Sequence, residues 1–225
     1  MYSLTNLRAE ALWKNGDKSL AFPFLVKYEY PWQALSDIGN IIDELIKGLD
    51  SDKYTCKGED IWVANDVKIA PTATINGPCI ISEGTEIRPG AFIRGNVIVG
   101  KNAVIGNSTE LKNCILFDSV QVPHFNYVGD SILGYKSHMG AGAITSNVKS
   151  DKSLVSVKIG EEKIETNRKK FGALLGDFVE IGCNSVLNPG TIVGENSSIY
   201  PLSSVRGFVP QNSIYKSGNI IIRKA

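Results

Sequence analysis

The chain has 225 residues, 43% of them hydrophobic and 21% charged, with Lys+Arg 24 against Asp+Glu 23. A net charge of +1 gives no electrostatic reason to expect nucleic acid or an acidic membrane as partner, and no stretch approaches the ~18 consecutive apolar residues of a membrane span. The four cysteines (Cys56, Cys79, Cys114, Cys183) form no CxxC pair and read as free thiols, and the start MYSLTNLRAE has no apolar signal core, so a cytoplasmic protein is expected.

Residues 1–56 read as an N-terminal cap segment, part helical and part extended. Leu7, Ala11 and Leu12 fall on one side of a helix expected over Asn6 to Trp13, and Asn15-Gly16-Asp17 reads as a turn. Phe22 to Tyr30 is aromatic-rich and reads as extended. Pro31 suits the first turn of a helix expected from Trp32 to Leu49, in which Trp32, Leu35, Ile38, Ile42, Leu45, Ile46 and Leu49 share one face. That helix should cap or flank whatever follows it.

From Ile61 a different period takes over. Ile69, Ile75, Ile81, Ile87, Ile93, Val99, Ile105, Leu111 and Phe117 are spaced by six without a break. The beat returns at Leu133, Met139 and Thr145, and again at Leu175, Ile181, Leu187, Val193, Ile199 and Val205. The fourth residue after each beat is mostly small. Neither a helix nor an alternating strand keeps such a period. Short strands joined by tight corners do, three to a triangular coil, and stacked coils bury a column of aliphatic side chains. The expected fold class is mainly β: a hexapeptide β-helix over residues 57–210, with 211–225 as a tail that can add an edge strand.

Two passages break the beat, and breaks in a repeat are where sites and loops are built. Val120 to Gly129 (VQVPHFNYVG) holds His124, one of two histidines. Val148 to Lys170 alternates over Leu154 to Ile159, turns at Gly160-Glu161-Glu162 and returns, which reads as a hairpin arm followed by the basic run Arg168-Lys169-Lys170. An isolated hairpin is marginally stable, so the arm is expected to lie on a neighbouring subunit.

Three runs then carry a resemblance: His124-Phe-Asn-Tyr127-Val-Gly-Asp130, Met139-Gly140-Ala-Gly142-Ala-Ile-Thr145-Ser-Asn147, and Lys170-Phe171-Gly-Ala-Leu-Leu-Gly176-Asp177. In order and spacing they resemble the left-handed β-helix acetyltransferase domain of the bifunctional N-acetylglucosamine-1-phosphate uridyltransferases. The hairpin is more similar to archaeal and sugar-phosphate nucleotidylyltransferase-like members. The likeness covers Ile61 to Val209, about two thirds of the chain. No Gly-rich nucleotide loop precedes the solenoid, so nucleotidyl transfer is not expected.

The resemblance implies an acetyl-CoA-dependent N-acetyltransferase acting on an amino-sugar 1-phosphate, working as a homotrimer with sites between subunits and needing no metal. It puts His124 as the base that takes the amine proton, a task suited to imidazole. Arg88 and Lys112 match ligands of sugar and phosphate, Tyr127, His138 and Asn147 match sugar-contacting positions, and Lys170 matches a basic residue at the junction of acceptor and donor. Acetyl-CoA would lie near Cys183 and the Pro201 corner. Two departures stand out: His138 replaces the family's asparagine, and Cys183 replaces a small hydroxyl residue. The alternative is a non-catalytic trimeric assembly or sugar-nucleotide-binding protein. A γ-class carbonic anhydrase-like enzyme on the same fold would need three histidines around zinc, and this chain has two.

Overall fold

The computed structural model describes residues 3–216 and 220–224. The solenoid is there, a left-handed parallel β-helix with three faces. Within one coil the chain runs along face 1 (Cys79–Ile81), face 2 (Glu86–Ile87) and face 3 (Phe92–Ile93), then returns to face 1 at Val97–Val99. Each strand pairs in parallel with the one a coil away, as Cys79 with Val97 and Glu86 with Val104. The beat residues fill the column: Ile81, Ile93, Val99, Ile105, Leu111, Leu133, Met139, Leu187 and Val205 are all fully buried.

Corners repay inspection because left-handed backbone is costly for any residue but glycine. Asn96, Asn102, Ser108, Asn113, Ser119, Phe125, Asp130 and Lys136 all have φ between +48 and +60°. Their spacing is six, except for five at Ser108–Asn113 and at Phe125–Asp130. The coil that joins face 1 to itself is therefore 18 residues from Cys79 to Val97 but 17 from Val97 to Cys114 and from Cys114 to Ser131. Both shortened corners lie where face 3 turns into face 1, so that Glu110–Leu116 and Tyr127–Leu133 run as single seven-residue strands around the bend.

The short coil corrects one expectation. Phe117 keeps the six-residue beat, yet Leu116, not Phe117, pairs with Val99 and takes the inward position. Phe117 points out of the column and is buried by the N-terminal segment, its ring 5.2 Å from Trp13 and 6.4 Å from Phe22.

That segment flanks the solenoid along face 1. From the second coil to the last but one, the middle residue on this face is a large aliphatic, Ile80, Ile98, Ile115, Ile132, Leu174 and Ile192, each at most 1% exposed, while the aromatic Trp62 and Phe208 hold the same position at the two ends. A parallel sheet covered on both sides reads as unbroken apolar triplets, and this one does. Expected helices are shorter than the sequence periodicity suggests. Leu4–Leu7 is a 3-10 turn followed by the α-turn Ala9–Leu12, and Pro31–Ser36 is a 3-10 helix that stops before the α-helix Ile38–Ile46. Phe22 to Tyr30 is not extended. Phe22–Leu25 is a helical turn with Pro23 in its first turn, where a missing N–H costs nothing.

Polar pins hold the segment down. Trp13 Nε1 donates to Leu175 O at 2.8 Å. The fully buried Asp177 carboxylate accepts from Asn15 N (2.8 Å), Asn15 Nδ2 (3.0 Å) and Tyr135 N (2.9 Å). Both solenoid ends carry an antiparallel strand, Tyr54–Cys56 on Ile61–Ala64 and Ile220–Arg223 on Ser213–Lys216, so the tail strand forms as expected.

The arm is a hairpin, Val155–Ile159 with Glu162–Arg168, and one side of it packs on the chain's own solenoid. Val155, Val157 and Ile159 are buried within the chain. Gly190 and Gly207 let the arm approach. A Cβ at Gly190 would stand 2.8 Å from Ser156 O, and one at Gly207 3.0 Å from Lys158 O.

Candidate functional site

Face 3 is the meeting place. One of its edges, the corner from face 2, stacks Pro89, Asn107, His124, Ala141, Cys183 and Pro201 in register. Successive coils are tied here by Phe125 N to Asn107 O, Gly142 N to His124 O, Asn184 N to Ala141 O and Leu202 N to Cys183 O. Close stacking depends on glycine just inside: a Cβ on Gly182 would come 2.4 Å from Pro201 N. The imidazole of His124 is exposed and makes no hydrogen bond to any described residue, while its backbone N–H donates to Asn126 Oδ1 at 3.1 Å. Arg88 lies on the same edge, under Pro123 and two coils below, at ~10 Å for a strand spacing of ~4.8 Å. It is paired with Glu86 at 3.2 Å.

The opposite edge of face 3 is the shortened corner. Here Asp130, only 3% exposed, gathers a network. Its carboxylate accepts from Lys112 Nζ at 3.2 and 3.4 Å, from Asn113 Nδ2 at 2.9 Å and from Asn147 Nδ2 at 2.6 Å. Asn147 Nδ2 also donates to the Tyr127 hydroxyl at 3.2 Å. Burial, and next the charge of Asp130, raise the Tyr127 pKa, so the phenol stays protonated and able to donate. Asn113 Nδ2 reaches a second acceptor, Leu35 O at 2.9 Å, which joins this corner to the N-terminal segment.

The structure thus brings Lys112, Tyr127 and Asn147 together around Asp130. Lys170 is exposed, one residue before Phe171, whose N–H donates to Asn147 O. His138 stands apart. It lies outward on face 2 and its Nδ1 is 2.8 Å from Glu180 Oε2. Cys183 and Pro201 continue the His124 edge, one and two coils beyond Ala141. Among the described residues no group of three metal-ligating side chains occurs, and no helix is long and apolar enough to cross a membrane.

With this geometry in hand the relatives are informative. Residues 75–207 match the model of the GMPPB C-terminal domain. The chain belongs to that family. It is 36% identical to the bifunctional protein GlmU of Methanococcus aeolicus over 175 residues, covering 69% of this chain and 42% of that protein. Likeness to GlmU of Methanocaldococcus jannaschii is 33%, covering 86% and 48%. For a bifunctional sugar-1-phosphate nucleotidylyltransferase/acetyltransferase of Sulfurisphaera tokodaii it is 30%, covering 85% and 50%. The chain spans about half the length of the curated relatives it matches. Among solved structures, a mutant of AntD, an N-acyltransferase from Bacillus cereus in complex with dTDP and coenzyme A, aligns at a TM-score of 0.39 and 18% identity, covering 76% of this chain and 90% of that one. The resemblance read from the three motifs is borne out by the GlmU relatives.

In this GMPPB C-terminal domain chain one cation was passed over by sequence reasoning. Arg94 sits directly beneath Lys112: Ile93 pairs with Leu111, and Arg94 N donates to Leu111 O at 2.9 Å. Its guanidinium holds Glu110 at 2.7 Å and lies 5.8 Å over the Phe92 ring. The separation from Lys112 is 18 residues, one full coil, and that was the available signal. Arg88, one hexad earlier, falls on the other edge of face 3.

Proposed function

We propose that the protein is an acetyl-CoA-dependent N-acetyltransferase acting on an amino-sugar 1-phosphate of the glucosamine 1-phosphate kind. The observation that carries this reading is the division of face 3. A histidine with no side-chain partner stands on one edge, and across Tyr127 the other edge holds Lys112, Arg94, Asn147 and Lys170. The Sulfurisphaera tokodaii relative, named as a nucleotidylyltransferase/acetyltransferase, supports acetyl transfer.

In this reading the sugar's phosphate sits at the cationic edge, where an Arg fork and a Lys ammonium make charge-assisted hydrogen bonds. Tyr127 and Asn147 orient the ring. The amine is then directed toward His124 and attacks the thioester carbonyl. His124 takes the amine proton as the C–N bond forms, and the tetrahedral intermediate collapses with loss of the coenzyme thiolate, which is reprotonated. Acetyl-CoA runs along the His124 edge past Cys183 and Pro201. His138, tied to Glu180 on face 2, stands apart from both edges and takes no part in this scheme. Arg88 is a weaker candidate than Arg94 for the phosphate.

The active form is a homotrimer. Phe125, Tyr200 and Leu202 are 61%, 45% and 78% exposed, and all three stand on the His124 edge. Exposed apolar side chains in a row beside a site support burial by a second copy. Exposed thiols at Cys56 and Cys183 fit a reducing cytoplasm.

Thiol release from acetyl-CoA with glucosamine 1-phosphate, against an acceptor-free control, tests the reading. His124→Ala is expected to abolish acceptor-dependent release while the circular dichroism and oligomeric state stay those of wild type. Unchanged turnover in that variant removes His124 from catalysis. Absence of release from the wild-type oligomer removes the enzyme.

A further inference from the structure

The arm supplies the site with a group that lies outside the motifs. Its second strand ends at Arg168, and the chain then runs beside Asp130 and Asn147. Phe171 N–H donates to Asn147 O at 2.9 Å and Gly172 N–H donates to Asp130 O at 2.8 Å. Arg168 is partly buried at the base of the arm, opposite Val155 in the hairpin ladder. Its Nε donates to Lys170 O at 3.2 Å, and its two terminal nitrogens have no partner among the described residues. Burial lowers its pKa, and the Asp130 carboxylate acts in the opposite sense, so the guanidinium is within electrostatic reach of the group that holds Lys112 and Asn147.

A guanidinium carries five N–H donors. Arg168 uses one of them on a backbone carbonyl, which leaves the donors of the terminal nitrogens for water or a ligand. Through its bond to Lys170 O, Arg168 stands next to the corner where Lys112, Asn147 and Tyr127 gather around Asp130, with its terminal N–H groups unpartnered among the described residues. That set suits a phosphoryl oxygen cluster, with Asp130 holding the cationic groups in place while the site is empty.

We propose that Arg168, delivered by the hairpin arm, is a ligand of the acceptor's phosphoryl group. This rests on the acceptor assigned above. It gives the arm a function that the bare solenoid lacks: docking of Val155, Val157 and Ile159 onto the corner fixes the arginine at the acceptor edge.

Calorimetric titration of glucosamine 1-phosphate into wild type, Arg168→Ala, Arg168→Lys and Lys169→Ala tests this. Arg168→Ala is expected to weaken binding at least about tenfold, the loss of one charge-assisted pair. Arg168→Lys should recover part of it, because it restores charge without the fork. Lys169→Ala, a neighbouring exposed cation, should bind as wild type does, and all melting temperatures should agree. Binding by Arg168→Ala within twofold of wild type, or an equal loss in Lys169→Ala, overturns the assignment. If wild type binds the sugar phosphate and Arg168→Ala does not, yet no acetyl group is transferred, the enzyme reading fails and the Arg168 site stands. If wild type does not bind the sugar phosphate, both fall.

Discussion

Arg94 and Arg88 are the sharpest case at the scale of single residues. Both follow a beat isoleucine, and only the coil decides which one meets Lys112. Arg94→Ala and Lys112→Ala are each expected to raise the KM for glucosamine 1-phosphate about tenfold. Arg88→Ala should change it less than twofold, and initial-rate kinetics on the three variants distinguish the edges. The cysteines divide as cleanly. Cys79 and Cys114 are buried within the chain, so a water-soluble thiol reagent should leave both unmodified in the native protein and modify all four cysteines after denaturation. Burial pushes the Cys79 thiol up to about 12 from an ordinary 9.0. A pKa raised by folding means that the neutral form is favoured in the native state. The corresponding stability is complete below pH 9 and is lost as pH rises toward 12. Cys79→Ala should show a shallower fall in stability across that window in chemical denaturation, whatever its stability at neutral pH.

The informative elements are face 1, the N-terminal segment and the arm. Face 1 was legible in retrospect. Cys79-Ile80-Ile81, Val97-Ile98-Val99, Cys114-Ile115-Leu116, Ser131-Ile132-Leu133, Ala173-Leu174-Leu175 and Thr191-Ile192-Val193 all place a large aliphatic between two inward residues. A middle residue on a solvated face would be polar, as Lys68, Glu86, Gln121, His138 and Glu180 are on the strands of face 2. Triplets at every third hexad therefore announce a covered face, and the only segment left to cover it is N-terminal. Ile115→Ala removes a fully buried middle residue and should cost about 2–5 kcal/mol in denaturant unfolding. The helix boundaries were less legible, because 3-10 turns and α-turns share the same spacing of apolar residues over a few positions, and packing on face 1 selects between them.

For the whole molecule, the covering segment is part of the fold. Removing residues 1–52 would lay bare the ladder from Ile80 to Ile192, six aliphatic side chains in a row. Such a truncated protein should aggregate or demand detergent, whereas the full chain should elute as a single species. Light scattering should give that species about three times the chain mass of 24.4 kDa. A monomer at micromolar concentration would leave Phe125, Tyr200 and Leu202 uncovered and refute the trimeric site.

The six-residue beat by itself determined a β-helix, because no other regular structure repeats bulky and small side chains at that interval. The alternation around Gly160 likewise determined a hairpin, and the resemblance carried by the three motifs pointed to His124, Arg88, Lys112, Tyr127, His138, Asn147 and Lys170 as one candidate site. Only the tertiary structure decided what depends on coil length and on contacts between distant segments. One residue fewer at the corner of Asn113 turns Leu116 inward and Phe117 outward. A full coil puts Arg94 beneath Lys112. The arm folds onto Gly190 and Gly207 because their missing side chains leave room for its backbone, and Arg168 at its base bonds Lys170 O beside Asn147. Local periodicity fixes which way a side chain points within a strand. The neighbours it meets there are set by the number of residues in a turn of the solenoid, and a sequence read six residues at a time does not reveal that number.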